Sequence, residues 1–224
     1  MMKRLKILRF AAILSVFACA FLHGQAQGLA QQGSSVDDIV PHGWQHQEAQ
    51  GDLNKDGIPD LAVVATPDYE ENTRTRDDGY VYNFNQPVLA IYFGTGQGQL
   101  QQRKQYDNVI PANEDENCSH EIELEITERG TLRISDLLFC SMGSYETTID
   151  TYTYRYQQGD FFLIGCDKEE QHRNNGNTTI TSENYLTWKR QVTQYNVFYY
   201  DLEPTEKWTR LTKKPLEKLG AREL

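Results

Sequence analysis

Beyond Leu22 the chain has no apolar run long enough to cross a bilayer, and no stretch that keeps a helical period over several turns. The first absence excludes a membrane-spanning helix from that part of the chain. The second points to strands. Basic residues are also scarce: 22 Lys and Arg stand against 32 Asp and Glu, a formal charge of −10. Such a surface repels phosphate backbones and anionic lipid heads, so a nucleic-acid partner is not expected. His42 and His46 sit four apart, but a zinc site needs a third protein ligand and a helix to bring the two together, and neither is visible. They read as surface histidines.

The opening residues read as a targeting segment. Lys3, Arg4, Lys6 and Arg9 form a basic region ahead of an apolar core, Phe10 to Leu22, that is too short to span. Gly24-Gln25-Ala26 supplies small residues for cleavage, with Gly28-Leu29-Ala30 as a second option. Val16-Phe17-Ala18-Cys19 resembles a lipoprotein box, but Phe17 is bulky for it, so a cleaved secretory peptide over residues 1–26 is favoured over a lipid anchor at Cys19. Cleavage leaves 18 basic against 32 acidic side chains, a formal charge of −14. The expected location is periplasmic, secreted or at a bacterial cell surface.

What the chain does have is tyrosine, at 13 positions, and short runs crowded with β-branched residues. The composition predicts a mostly β protein of antiparallel hairpins. One domain is expected over 36–220 behind a flexible lead, 27–35, with a first unit at 48–110 and hairpins over 111–220. That length is ample for one hydrophobic core.

The stretch GDLNKDGIPDLAVVA, residues 51–65, carries the clearest chemistry. Asp52, Asn54, Asp56 and Asp60 place hard oxygens at alternate positions of a tight loop, as calcium requires. Gly57 permits the turn, and Ile58 can ligate through its carbonyl. Calcium is therefore the expected cofactor, bound by Asp52, Asn54, Asp56, Ile58 and Asp60. An EF-hand would need a glutamate where Val63 stands and helices on both sides, whereas Leu61 to Ala65 reads as a buried strand. The loop instead resembles that of FG-GAP and VCBS-type repeats. Val88 to Phe93 fits the next strand of such a unit, and Gly94-Thr95-Gly96-Gln97-Gly98 the turn after it. No helix follows those glycines, so they do not read as a phosphate cradle. Thr66 to Gln86 is an acidic, tyrosine-containing insertion. Only one copy of the unit is present, and a propeller needs at least four blades.

Residues 118–140 can be set in register. Glu128-Arg129-Gly130 suits a three-residue hairpin loop, which places Ile126 opposite Leu132, Leu124 opposite Ile134 and Glu125 opposite Arg133. Cys118 then falls opposite Cys140, and in an oxidising compartment a disulfide follows. His120 lies diagonally from Cys140, so a Cys–His dyad is conceivable, but no oxyanion-hole motif accompanies it. Glu121, Glu123 and Glu125 alternate along one face. That spacing suits a carboxylate pair, yet the row reads as uniformly solvated.

In TYTYRYQQGDFFLIGCD, Tyr152, Tyr154 and Tyr156 alternate as a half-buried strand does. Gln157-Gln158-Gly159 turns it, and the aromatic row is expected to form core opposite Phe162 and Ile164. Cys166 reads as a buried thiol. Asp167 to Asn177 reads as a polar loop, Thr178–Glu183 and Trp188–Tyr200 as strands, and the tail as a last strand or a short helix.

The order of calcium loop, LAIYFG strand, TYTYRYQQGDFFLIGCD and ITSENYLT is similar, over about residues 48–190, to a group of secreted bacterial proteins of uncharacterised function. Cys166 stands where that group usually has an aromatic, and Trp188 where it usually has a turn glycine. The resemblance implies a single FG-GAP-like unit ahead of an antiparallel sheet. No nucleophile–base–orienter set or matched carboxylate pair can be assembled from the residues. The function expected is a non-catalytic binding module for a protein or glycan, with a secreted hydrolase of an extracellular polymer as the alternative.

Overall fold

The computed structural model describes residues 28–199 and 201–224. The expected signal peptide and Cys19 lie outside the described residues. Along the chain the elements are β1 Gln32–Gly33, α1 Val36–Ile39, β2 Gln45–Gly51, β3 Asp60–Thr66, β4 Thr73–Thr75, β5 Val81–Asn83, β6 Val88–Gly94 and β7 Leu100–Tyr106. After them come β8 Cys118–Ile126, β9 Thr131–Cys140, β10 Glu146–Gln157, β11 Asp160–His172, β12 Asn177–Asn184, β13 Lys189–Asn196 and β14 Thr205–Arg210. The fold is mostly β and antiparallel, with a half-barrel curl and no propeller.

A five-stranded sheet runs β1-β7-β6-β3-β2, and a seven-stranded one runs β14-β13-β12-β11-β10-β9-β8. The continuous apolar run of β3 is explained by burial on both faces. Ala62 and Val64, with Leu89 and Ile91 of β6, pack against Leu132, Ile134, Tyr152, Tyr154, Phe161 and Leu163 of the large sheet. Leu61, Val63 and Ala65 point the other way, into a second core with Leu29, Ile39, Val40 and Trp44. The lead read as flexible therefore belongs to the fold: β1 pairs with β7, and Leu29 is buried. Its outward-facing sheet needs that cover, because a sheet with two apolar faces cannot leave one in water.

The hairpin β8–β9 has the expected register. Ile126 faces Leu132, Leu124 faces Ile134, Glu125 faces Arg133 and Cys118 faces Cys140. The two cysteines form a disulfide. The next hairpin differs from expectation. Gln157 pairs with Asp160, leaving only Gln158 and Gly159 in the turn, both at positive φ (53° and 82°). This is the two-residue turn that matches strand twist. One residue fewer in the loop reverses the facing of the returning strand. Phe161 and Leu163, rather than Phe162 and Ile164, therefore meet Tyr156 and Tyr154 in the core.

Of the stretch 167–177, read as a polar loop, only 173–176 forms a turn. β11 continues as far as His172, paired with β10 on one side and β12 on the other. Cross-strand hydrogen bonding of a central strand overrides its polar side chains. β13 ends at Asn196, short of the expected Tyr200, and the tail supplies a strand, β14, rather than a helix.

Candidate functional site

The loop between β2 and β3 is organised by its own side chains. Asp52 Oδ1 accepts the N–H groups of Lys55 (2.6 Å) and Asp56 (3.2 Å), and Oδ2 accepts that of Gly57 (2.8 Å). Asn54 Oδ1 accepts the Asp56 N–H and its Nδ2 donates to Asp56 Oδ2, both at 2.9 Å. Asp56 Oδ1 in turn accepts the Ile58 N–H at 2.8 Å. Lys55 and Gly57 take positive φ (67° and 84°), which bends the chain back on itself.

Asp60 is different. It is only 1% exposed. Its Oδ2 accepts N–H from Leu53 (2.8 Å) and Asn54 (3.3 Å), and its Oδ1 accepts that of Gly94 on β6 (2.9 Å). Burial raises its pKa, opposed by those three N–H donors. Asp60 is thus a strut joining the loop to the neighbouring hairpin. Gly94 must be glycine there, because a Cβ would meet the Pro59 carbonyl oxygen at 2.2 Å.

The donor set fits a hard cation in kind. A carboxylate has about four lone-pair directions. Asp52 and Asp60 each use three of them and Asp56 two, while the Ile58 carbonyl is the main-chain donor of the set. The arrangement does not converge three acids on one point, and among the described residues no three His, Cys, Asp or Glu side chains gather as metal ligands would.

At the opposite end of the large sheet lies an aromatic surface. The insertion folds into the β4–β5 hairpin, whose alternation puts Tyr80, Tyr82 and Phe84 in a row. Tyr80 and Tyr82 meet edge-on at 4.9 Å, and Tyr82 stacks on Phe84 at 6.2 Å. Arg74 ion-pairs with Glu116, holding the hairpin against the start of β8, and lies over the Phe84 ring. Arg76, Tyr80, Tyr82, Phe84 and Phe139 line a groove of about 250 Å³ that ends at Cys118. Tyr80 is 57% exposed. Along the same rim, the turn after β9 presents Met142 and Tyr145, and the turn after β13 presents Val197, Phe198 and Tyr199, all exposed. Arg173 fixes part of this rim by donating to the carbonyls of Cys140 (2.5 Å) and Ser144 (2.7 Å) while lying 4.4 Å over Phe139.

The disulfide removes the imagined dyad of His120 with Cys140. His120 Nδ1 instead sits 2.9 Å from both carboxylate oxygens of Asp136, a residue 8% exposed. His120 also borders a cleft of about 360 Å³ between β2 and β8, shared with His46, Asn83, Asn113, Glu121 and Glu123. Asp150 pairs across the sheet with Asp136. Burial raises the Asp150 pKa; Lys168 opposes this, and Asp136 and Glu170 add to it.

The remaining sequence candidates are dispersed over the fold. His42 and His46 are both exposed, with His46 on a strand rather than a helix. Glu121, Glu123 and Glu125 form an exposed row, with Glu125 paired to Arg133 at 2.7 Å. Tyr152 and Tyr154 are core, and the Cys166 thiol is free, with its pKa pushed by burial up to about 12. Asp136 was missed as a site residue. Its signal was present: in the hairpin register it is the one acid on an inward face of Leu132, Ile134 and Leu138.

Compared with known protein families, with curated proteins and with solved structures, the chain matches none.

Proposed function

We propose that the chain is a non-catalytic binding module of an extracytoplasmic compartment, which meets a glycan or protein through the aromatic rim of its large sheet. The observation that carries this reading is the groove of Tyr80, Tyr82, Phe84 and Phe139 beside Arg76, with Tyr80 and Phe139 exposed and Cys118 of the disulfide in its lining. Contiguous exposed aromatics on a soluble surface mark interaction sites. Tyrosine faces stack on sugar rings while their hydroxyls hydrogen-bond. The disulfide between Cys118 and Cys140 suits an oxidising compartment. Among the described residues no helix is long and apolar enough to cross a membrane.

In this reading calcium would draw together Asp52, Asn54, Asp56, the Ile58 carbonyl and Asp60, and its chemistry would be to neutralise and tie together the turn. That loop abuts the β8–β9 turn, where a Cβ on Gly130 would touch the Asp52 carbonyl. The rim lies at the other end of strands about 30 Å long. Calcium therefore acts on the fold, not on the ligand.

Affinity electrophoresis through gels holding soluble bacterial-envelope polysaccharides tests the proposal. At least one polysaccharide should retard the wild type, and the Tyr80→Ala/Tyr82→Ala double variant should migrate unretarded. Equal migration of both in every gel would remove the glycan reading.

The hydrolase alternative keeps one specific support. His120, oriented by buried Asp136 at a cleft, forms a base and orienter that could activate water. A polymer cleaved by the wild type and left intact by His120→Ala would replace the binding reading with this one.

A further inference from the structure

The C-terminal tail leaves the sheet and returns to it, spanning a pocket. The Leu211 N–H donates to the Trp188 carbonyl (2.8 Å), continuing the β13–β14 pairing. Six residues later the chain is fastened again, where the Leu163 N–H donates to the Glu217 carbonyl (2.8 Å) and the Leu219 N–H to the Phe161 carbonyl (2.9 Å). Between these anchors the segment arches over the start of β11 and the β12–β13 turn. It overhangs an open pocket of about 370 Å³, walled by Leu163, Tyr185, Trp188, Leu211, Pro215 and Leu216. That volume lies in the range of small-ligand sites, with the usual mixture of apolar wall and a few polar groups.

Trp188 is the unusual part of the wall. It closes the hairpin turn at φ 56°, in the left-handed region that a β-carbon disfavours and that glycine takes freely. The turn would close with less strain around glycine, yet the position carries the largest side chain, half-buried beside Tyr185 at 6.0 Å. Backbone geometry alone does not account for an indole there. A wall that a ligand stacks on does.

The charges at the mouth identify the ligand class. Glu183 is already satisfied: its Oε2 accepts the Tyr185 hydroxyl (2.5 Å) and its Oε1 accepts Arg190 Nε (2.6 Å). Arg222 touches Glu217 only at 3.5 Å, with half of its side chain exposed, and lies 6.0 Å over the Tyr152 ring. Among the described residues Lys214 forms no ion pair with an acid. A chain of formal charge −10 thus gathers Arg190, Lys214 and Arg222 against Glu183 and Glu217 around one pocket. We infer that this pocket binds a small aromatic or apolar compound bearing a single anionic group, its ring against Trp188 and Tyr185 and its anion toward Lys214 and Arg222. The site stands apart from the rim at the other end of the sheet and does not depend on it.

Fluorescence titration of the purified protein with 8-anilinonaphthalene-1-sulfonate, and with the uncharged N-phenyl-1-naphthylamine, tests this. The sulfonate should bind saturably at one site. Trp188→Gly should weaken it about tenfold or more while the protein still melts cooperatively, because the turn accepts glycine. Arg222→Gln and Lys214→Gln should each weaken the sulfonate by about three- to fivefold and leave the uncharged probe unchanged. Tyr80→Ser, on the far rim, should alter neither. Absence of saturable binding, or wild-type affinity in Trp188→Gly, would overturn the site. Equal loss of both probes in Arg222→Gln would overturn the anion preference.

Discussion

Asp60 and Asp56 are two carboxylates of one motif with different work. Asp60 is buried and accepts three backbone N–H groups, one of them from another hairpin. Asp56 is exposed and bonds only within the loop. In the presence of a chelator, Asp60→Ala should lower unfolding stability by roughly 3 kcal/mol or more, since charge-assisted bonds are worth ~1.5–3 kcal/mol each and the orphaned donors stay buried. Asp56→Ala under the same conditions should lie within about 1 kcal/mol of wild type. Urea denaturation measures both, and equal losses would contradict the division of roles. Asp150 is a separate case. Its folded pKa is raised, by burial first and then by Asp136 and Glu170. A carboxyl of that kind favours folding while protonated, and the contribution fades as pH rises from the unfolded pKa through the folded one. Asp150→Asn should therefore melt higher than wild type at pH 7, with the difference shrinking on acidification toward pH 4. A difference that widens on acidification would reverse the assignment.

At the scale of elements, the hairpins show why one register was legible and the next was not. Gly130 sits at φ 71°, as a three-residue loop demands, and its two strands carry apolar positions in phase, so every pairing down to Cys118 and Cys140 followed. The Gln158-Gly159 turn can be counted as two residues or three, and both strands beside it are aromatic on either count. Nothing local decided the parity; burial of Phe161 did. The disulfide itself gives a direct check. Protein lacking residues 1–26, denatured without reductant, should show one reactive thiol, Cys166, and three after reduction. Reduction should also cost ~2–4 kcal/mol, read as a lowered denaturation midpoint. Native Cys166 should stay unreactive toward thiol reagents at pH 8, because burial holds it protonated.

At the scale of the whole molecule, the two ends of the large sheet are separate territories. The acidic loop packs at one end against the β8–β9 turn, and the aromatic rim occupies the other. Extracellular-type calcium sites bind at ~10⁻⁴–10⁻³ M, so about 1 mM calcium should stabilise the fold by only ~0.4–1.4 kcal/mol. In a chain of this size that is a rise of roughly 1–6 °C in melting temperature. The rise should be abolished by Asp56→Ala and should leave polysaccharide retardation unchanged. An unmoved wild-type melt at several millimolar calcium would end the metal proposal.

The sequence by itself determined what depends on local order. The alternation of tyrosines and of β-branched residues specified strands, the loop composition specified its Asx-rich turns, and Cys118 and Cys140 were paired by hairpin register. It could not determine what depends on distant neighbours. The lead at 28–35 becomes structure only because the first sheet has a second apolar face to cover. The polar run 167–172 stays extended only because strands flank it on both sides. Asp60 becomes a strut only because Gly94 arrives from another hairpin. The loop that announces itself in the sequence lies at one end of the molecule, and the surfaces proposed to bind are assembled from residues that only the folded chain brings together.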